Sequence, residues 1–221
     1  MESASAGTAK PRGGALRVAA IMAIACICGW IVMELEILGA RVLAVYFGSQ
    51  IYVWGSVIGV FLLSLAGGYL LGGWASRLRA GKLVLGACLT LAGAWLCGMP
   101  SAAAPISDSL LNAGWSDKWG SLVAAGVLFG VPTLLLGMVS PTMVGWLTSQ
   151  AKDSGLNTGL VLATSTLASF AGCIVTAFYL VLLSTRGTII VSGMVLAVLG
   201  VLLVLHAVAT RGSRRAGEGM K

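Results

Sequence analysis

Two glutamates and an arginine stand inside "GWIVMELEILGARVLAVYFGSQIYVW", residues 29–54, which otherwise reads as membrane-spanning sequence. An acidic residue at the centre of a membrane helix costs about 2.5–3.5 kcal/mol, so Glu34 and Glu36 require a reason to be there. One is an ion pair that locks the helix to its neighbours; the other is a site that binds a ligand or transfers a proton, with Arg41 tuning a carboxylate. Glu34 and Arg41 are seven residues apart and share a helix face, whereas Glu36 points about 200° from Glu34. A regular helix keeps Glu34 and Arg41 two turns apart, and a break at Gly39 lets Glu36 reach Arg41. Tyr46, Ser49, Tyr52 and Trp54 follow closely and offer hydroxyl and aromatic contacts to a cationic ligand. Lock and binding site both remain open at this point.

The elements that must position these residues are membrane helices. The chain has 221 residues, 58% hydrophobic and 10% charged, with mean hydropathy +0.97. That is more apolar surface than a soluble core of this size can hide. Roughly 20 apolar residues cross a bilayer, and six segments qualify: 16–43, 51–75, 83–104, 119–147, 157–184 and 188–209. The first reads as a retained anchor, since its polar leader is long and no small-residue cleavage site follows. With the N-terminus inside, eleven of the fourteen Lys and Arg fall on the inner side, leaving Arg41, Lys118 and Arg186 outside. The hydropathy pattern and the positive-inside rule therefore predict an all-α polytopic protein, N-in and C-in. Trp54, Trp115 and Trp119 mark outer ends and Trp74 and Trp146 inner ends, as interfacial anchors. Residues 1–15 and 210–221 read as flexible basic tails flanking a single membrane domain over 16–209. The external stretch "SAAAPISDSLLNAGWSDKW" is expected to hold a short helix on the outer surface.

Several spans carry packing signals. Ser64, Gly68 and Gly72 form a small-residue stripe at i, i+4, i+8, joined by Gly55 and Gly59 before it and by Gly126 and Gly130 in the fourth span. Pro132 and Pro141 interrupt the fourth span, predicting a kink or unwound turn beside a polar site. In the fifth, Thr158, Ser165, Ser169 and Thr176 lie within about 20° of one line and fit either a hydrated pathway or helix packing. The five cysteines lie in apolar runs without metal spacing and read as small hydrophobes. No zinc motif, nucleotide loop or nucleophile elbow occurs, so no cofactor, metal or nucleic-acid partner is expected.

The blocks "ELEILGARVLAVYFGSQIYVWGSVIGVFLLSLAGGYLLGGWASR", "LLLGMVSP" and "GLNTGLVLATSTLASFAGCIVTAFYL" with "STRGT" resemble the membrane-embedded part of bacterial spermidine-synthase-like proteins, often described as fused transporter/spermidine synthases. The resemblance covers most of residues 29–188. It implies that Glu36 and Arg41 stand on the family's Glu-x4-Arg pair, and Gly48, Tyr52 and Trp54 on its "fG-s-yvW" segment. Gly68, Tyr69, Gly72 and Gly73 match its "GYxxGG", and Ser165, Thr166, Ser169 and Gly172 its "ST-GS-G". By this resemblance Glu36, rather than Glu34, is the functional acid. The sequence departs at Val45, Trp74 and Ser76, where proline, arginine and aspartate are common. Many relatives continue into an aminopropyltransferase-like domain; this sequence holds no Gly-rich nucleotide-binding loop, so such chemistry is expected of a separate soluble synthase.

Three functions follow as expectations. The first is a transporter-like protein that binds a small cationic metabolite of the polyamine class, with Glu36 as acceptor, Arg41 orienting it, and Glu34, Ser49, Trp54, Ser165 and Ser169 as further binding residues. Six spans are half of a twelve-helix transporter, so a homodimer belongs to this reading. The second is an intramembrane enzyme using Glu36 as general acid/base, with Tyr46 or Tyr52 as helper, on an exported peptide terminus or a lipid. The third is a non-catalytic subunit that docks the soluble synthase, its Glu/Arg pair being only a lock.

Overall fold

The computed structural model describes residues 12–78, 81–148 and 154–218. Lys10, Arg79, Lys152 and Lys221 of the inner-side cations, and residues 1–11 of the expected N-terminal tail, lie outside the described residues. The chain is all-α, with six helical segments long and apolar enough to cross a membrane. Helix α1 spans Arg12–Phe47, α2 Ile51–Ala75 and α3 Gly81–Asn112. The fourth crossing is assembled from α4 (Asp117–Ala125), a π-helical turn (Gly126–Gly130), α5 (Val131–Gly137) and α6 (Val139–Thr148). Helix α7 (Ser154–Phe178) ends in a 3-10 turn at Leu180–Leu182, and α8 covers Thr185–Glu218. Residues 12–15 and 210–218, expected as parts of the tails, are therefore helical.

The anticipated outer-surface helix is helical but continuous with α3, which runs through Pro100 and Pro105 to Asn112. A Schellman-type end closes it: the Trp115 N–H donates to the Leu110 carbonyl (3.2 Å) and the Gly114 N–H to that of Leu111 (3.0 Å). Gly114 takes φ +78° there, and Gly48 takes φ +76° between α1 and α2. Side chains penalise such backbone and glycine does not.

With no hydrophobic drive between helices in lipid, the bundle is held by close backbone approach. The most extensive contacts join α3 to α8 and α1 to α7. A Cβ on Gly93 would lie 2.5 Å from the Gly193 carbonyl oxygen and 2.5 Å from the Ala197 nitrogen, so α3 and α8 touch through glycine. Likewise a Cβ on Gly172 would come within 2.8 Å of the Trp30 carbonyl oxygen, fixing α7 against α1. The predicted stripe also packs inside this chain, with Gly68 and Gly72 facing the Leu134–Met138 backbone and Ser64 beside Gly130. Gly55 and Gly59 take no part, since nothing lies within 4 Å of a Cβ built on either. Helices α2 and α7 bury only 22% and 17% of their spanning windows. Their outer faces, with Leu62, Leu70, Leu167 and Phe170 exposed, are the lipid-facing surface.

Of the expected anchors, Trp54, Trp74, Trp115 and Trp119 are exposed. Trp146 is instead half-buried, its indole nitrogen 3.2 Å from the Cβ position of Gly81. The fourth crossing is interrupted where its prolines predict. Pro132 has no N–H to give the carbonyl four residues back, Leu128, and the Trp95 indole N–H of α3 donates to that oxygen at 3.0 Å. Near Pro141, the Thr142 hydroxyl donates to the carbonyls of Met138 (2.7 Å) and Gly72 (3.2 Å), tying α6 to α2.

Candidate functional site

Glu34 is 2% exposed near the middle of α1. The indole N–H of Trp30, one turn earlier on the same helix, donates to Oε2 at 3.0 Å. The other oxygen accepts from α8, where Ser192 Oγ lies 2.6 Å from Oε1. Both donors are neutral, and among the described residues no ion pair reaches this carboxylate. The carboxyl group is therefore oriented but has no cationic partner among the described residues.

Glu34 lines a cavity of about 630 Å³ between α1, the turn at Leu180–Leu182 and the first turns of α8. Trp30 and Ser192 line it as well, with Cys26, Ile31 and Val195 among the apolar wall. Polar groups converge at one end of a mostly apolar chamber, the usual design of a small-molecule site.

Among the described residues neither Glu34 nor Glu36 pairs with Arg41, so the pairing that a break at Gly39 would allow does not form. Helix α1 runs unbroken through Gly39, whose bare Cα seats the Phe129 ring, at 2.9 Å from the Cβ position to Cζ. A regular helix keeps Glu36 and Arg41 on different faces. Arg41 instead donates through Nη1 to the Val181 carbonyl at 2.6 Å. Glu36 is half-buried, and no hydrogen bond or ion pair among the described residues involves it.

The remaining expected site residues divide among separate places. Arg41 and Tyr46 line a second cavity, of about 220 Å³, with Arg186. Ser165 and Ser169 line a third, of about 190 Å³, beside Gly29 and Tyr69. There the Ser169 hydroxyl donates to the Gly29 carbonyl at 2.9 Å, so this part of the hydroxyl stripe braces α7 against α1 while edging a small, mostly apolar cavity. Thr176 of the same stripe is fully buried, and its hydroxyl has no partner among the described residues. Ser49, Tyr52 and Trp54 line none of the three cavities, and neither does Glu36. Ser49 and Trp54 are exposed near the α1–α2 connection, while Tyr52 packs half-buried against the core.

The expectations did not include Trp30, Ser192 or Cys26. Trp30 was within reach of sequence reasoning, since it precedes Glu34 by four residues, the spacing at which helical side chains meet. Ser192 carried no such signal, being 158 residues away. All five cysteines are free; Cys28 and Cys88 are buried and Cys26 is exposed.

Fold and cavity together define a multi-pass α-helical membrane protein with a carboxylate at the wall of an open cleft between α1 and α8. No protein-family description, curated protein or solved structure matches the chain.

Proposed function

We propose that this chain is a transporter-like protein of the bacterial inner membrane that binds a small organic cation, an ammonium head with an apolar body, in the Glu34 cavity. One observation carries the reading: a carboxylate held at both oxygens by neutral donors, with no cationic side chain bonded to it among the described residues, faces a 630 Å³ apolar cleft. A buried charge calls for a positive partner, and a ligand ammonium beside the Trp30 ring gains both the carboxylate and the aromatic face.

The acceptor is thus Glu34 rather than Glu36. The resemblance to polyamine-linked proteins supports an amine as the ligand class. The single carboxylate supports one ammonium group per cavity, so monoamines with apolar chains fit better than a polyamine with several charges. Ser192 lies seven residues into α8, which puts the chamber nearer the α8 N-terminus; by the positive-inside rule that end is external.

Uptake of a radiolabelled alkylamine into proteoliposomes tests the proposal. Wild-type protein should move the amine at a rate that Glu34→Gln lowers by about tenfold or more, as expected for loss of a buried charge-assisted contact. Equal movement by both proteins would reject it.

A further inference from the structure

The geometry points to a second binding site, for a phosphate oxyanion, between Arg41 of α1 and Arg186 in the first turn of α8. Both arginines line the 220 Å³ cavity, together with Tyr46, Thr185, Val45 and Ile189. Each is anchored by a neutral acceptor. Arg41 Nη1 donates to the Val181 carbonyl at 2.6 Å, and Arg186 Nη2 to the Ser101 hydroxyl at 3.1 Å. These contacts fix the guanidinium groups without neutralising them. No carboxylate lines the cavity, and among the described residues no ion pair reaches either arginine.

Arg41 and Arg186 are both exposed, and two cations at one cavity make a positive site that favours an anion. Each guanidinium has five N–H donors in a planar fork suited to phosphate, and among the described residues one nitrogen of each is engaged. The amino end of α8 adds its partial positive charge at Thr185 and Arg186. Tyr46 brings a further hydroxyl, and Val45 and Ile189 give the cavity an apolar side, so a phosphate carrying an apolar body is accommodated as well as a bare one. The site is independent of Glu34: neither arginine lines that chamber, and it attracts the opposite charge.

The test is native mass spectrometry of the purified, delipidated full chain, titrated separately with phosphatidylglycerol, phosphatidylcholine and inorganic phosphate. Wild-type protein should retain one phosphatidylglycerol or one phosphate, and the double variant R41Q/R186Q should lose about tenfold in that affinity. Retention of phosphatidylglycerol undiminished by inorganic phosphate identifies a lipid headgroup as the source. Binding of inorganic phosphate, with displacement of the lipid, identifies a free oxyanion. Arg186 is exposed and among the described residues bonds only Ser101, so R186Q alone should fold and show a partial loss should the double variant fail to fold. The inference is overturned if wild type retains neither phosphatidylglycerol nor phosphate, if it holds phosphatidylcholine as tightly as phosphatidylglycerol and binds no phosphate, or if folded variants bind as wild type does.

Discussion

Ser192 of α8 holds its hydroxyl oxygen 2.6 Å from Glu34 Oε1 of α1, so one hydrogen bond links two helices and aims a carboxylate into the largest of the three cavities. With Trp30 on the other oxygen, the pair forms a small polar island in apolar surroundings. The island has structural as well as ligand-binding consequences.

Truncating Glu34 should cost more than neutralising it. Glu34→Ala leaves the Trp30 N–H and the Ser192 hydroxyl without an acceptor, at about 1–3 kcal/mol for a buried unpaired polar group. Glu34→Gln keeps an acceptor oxygen and the side-chain shape, so its thermal unfolding midpoint in detergent should stay close to wild type while that of Glu34→Ala falls. Equal midpoints for the two variants would detach the island from stability.

Trp95 and Pro132 should be coupled. Trp95→Phe removes the donor to the Leu128 carbonyl and should destabilise by about 1 kcal/mol. In a Pro132→Ala background the restored N–H can serve that carbonyl, so the same substitution should cost clearly less. A double-mutant cycle on unfolding midpoints reads the difference.

How much of this was legible beforehand differs by element. The six spans were readable because length and hydropathy alone decide whether a helix crosses a bilayer, and Pro132 announced a break because a missing N–H is a covalent fact. Whether Glu36 pairs with Arg41 was not legible, because pairing depends on whether the helix breaks between them. Gly39 carried the same letter for two outcomes, a break or a seat for an aromatic ring, and only the Phe129 side chain arriving from another crossing chose between them. Ser192 and the cavity wall from α8 depend on how α8 rotates and docks, which local spacing does not encode.

Glycine substitutions should separate packed from lipid-facing positions. Gly93→Leu drives a side chain into the α8 backbone and should lose about 1–3 kcal/mol or prevent folding, as overpacking does. Gly55→Leu and Gly59→Leu meet open space and should be tolerated. Monodisperse yield after detergent extraction distinguishes them.

Cys26 provides a reporter. It lines the Glu34 cavity and is exposed, while Cys28 and Cys88 are buried. A membrane-permeant maleimide should modify Cys26 ahead of those two, and an alkylamine in the chamber should slow that reaction about tenfold in wild type, with little slowing in Glu34→Gln. Mass mapping of the alkylated peptides gives the rates.

The most direct test of the central claim is equilibrium binding of n-hexylammonium to the purified protein, set against n-hexanol as its uncharged counterpart and repeated with Glu34→Gln. The proposed site predicts that wild type prefers the ammonium by about tenfold or more and that Glu34→Gln abolishes the preference. Equal binding of amine and alcohol by wild type, or a preference that survives the loss of Glu34, would contradict it.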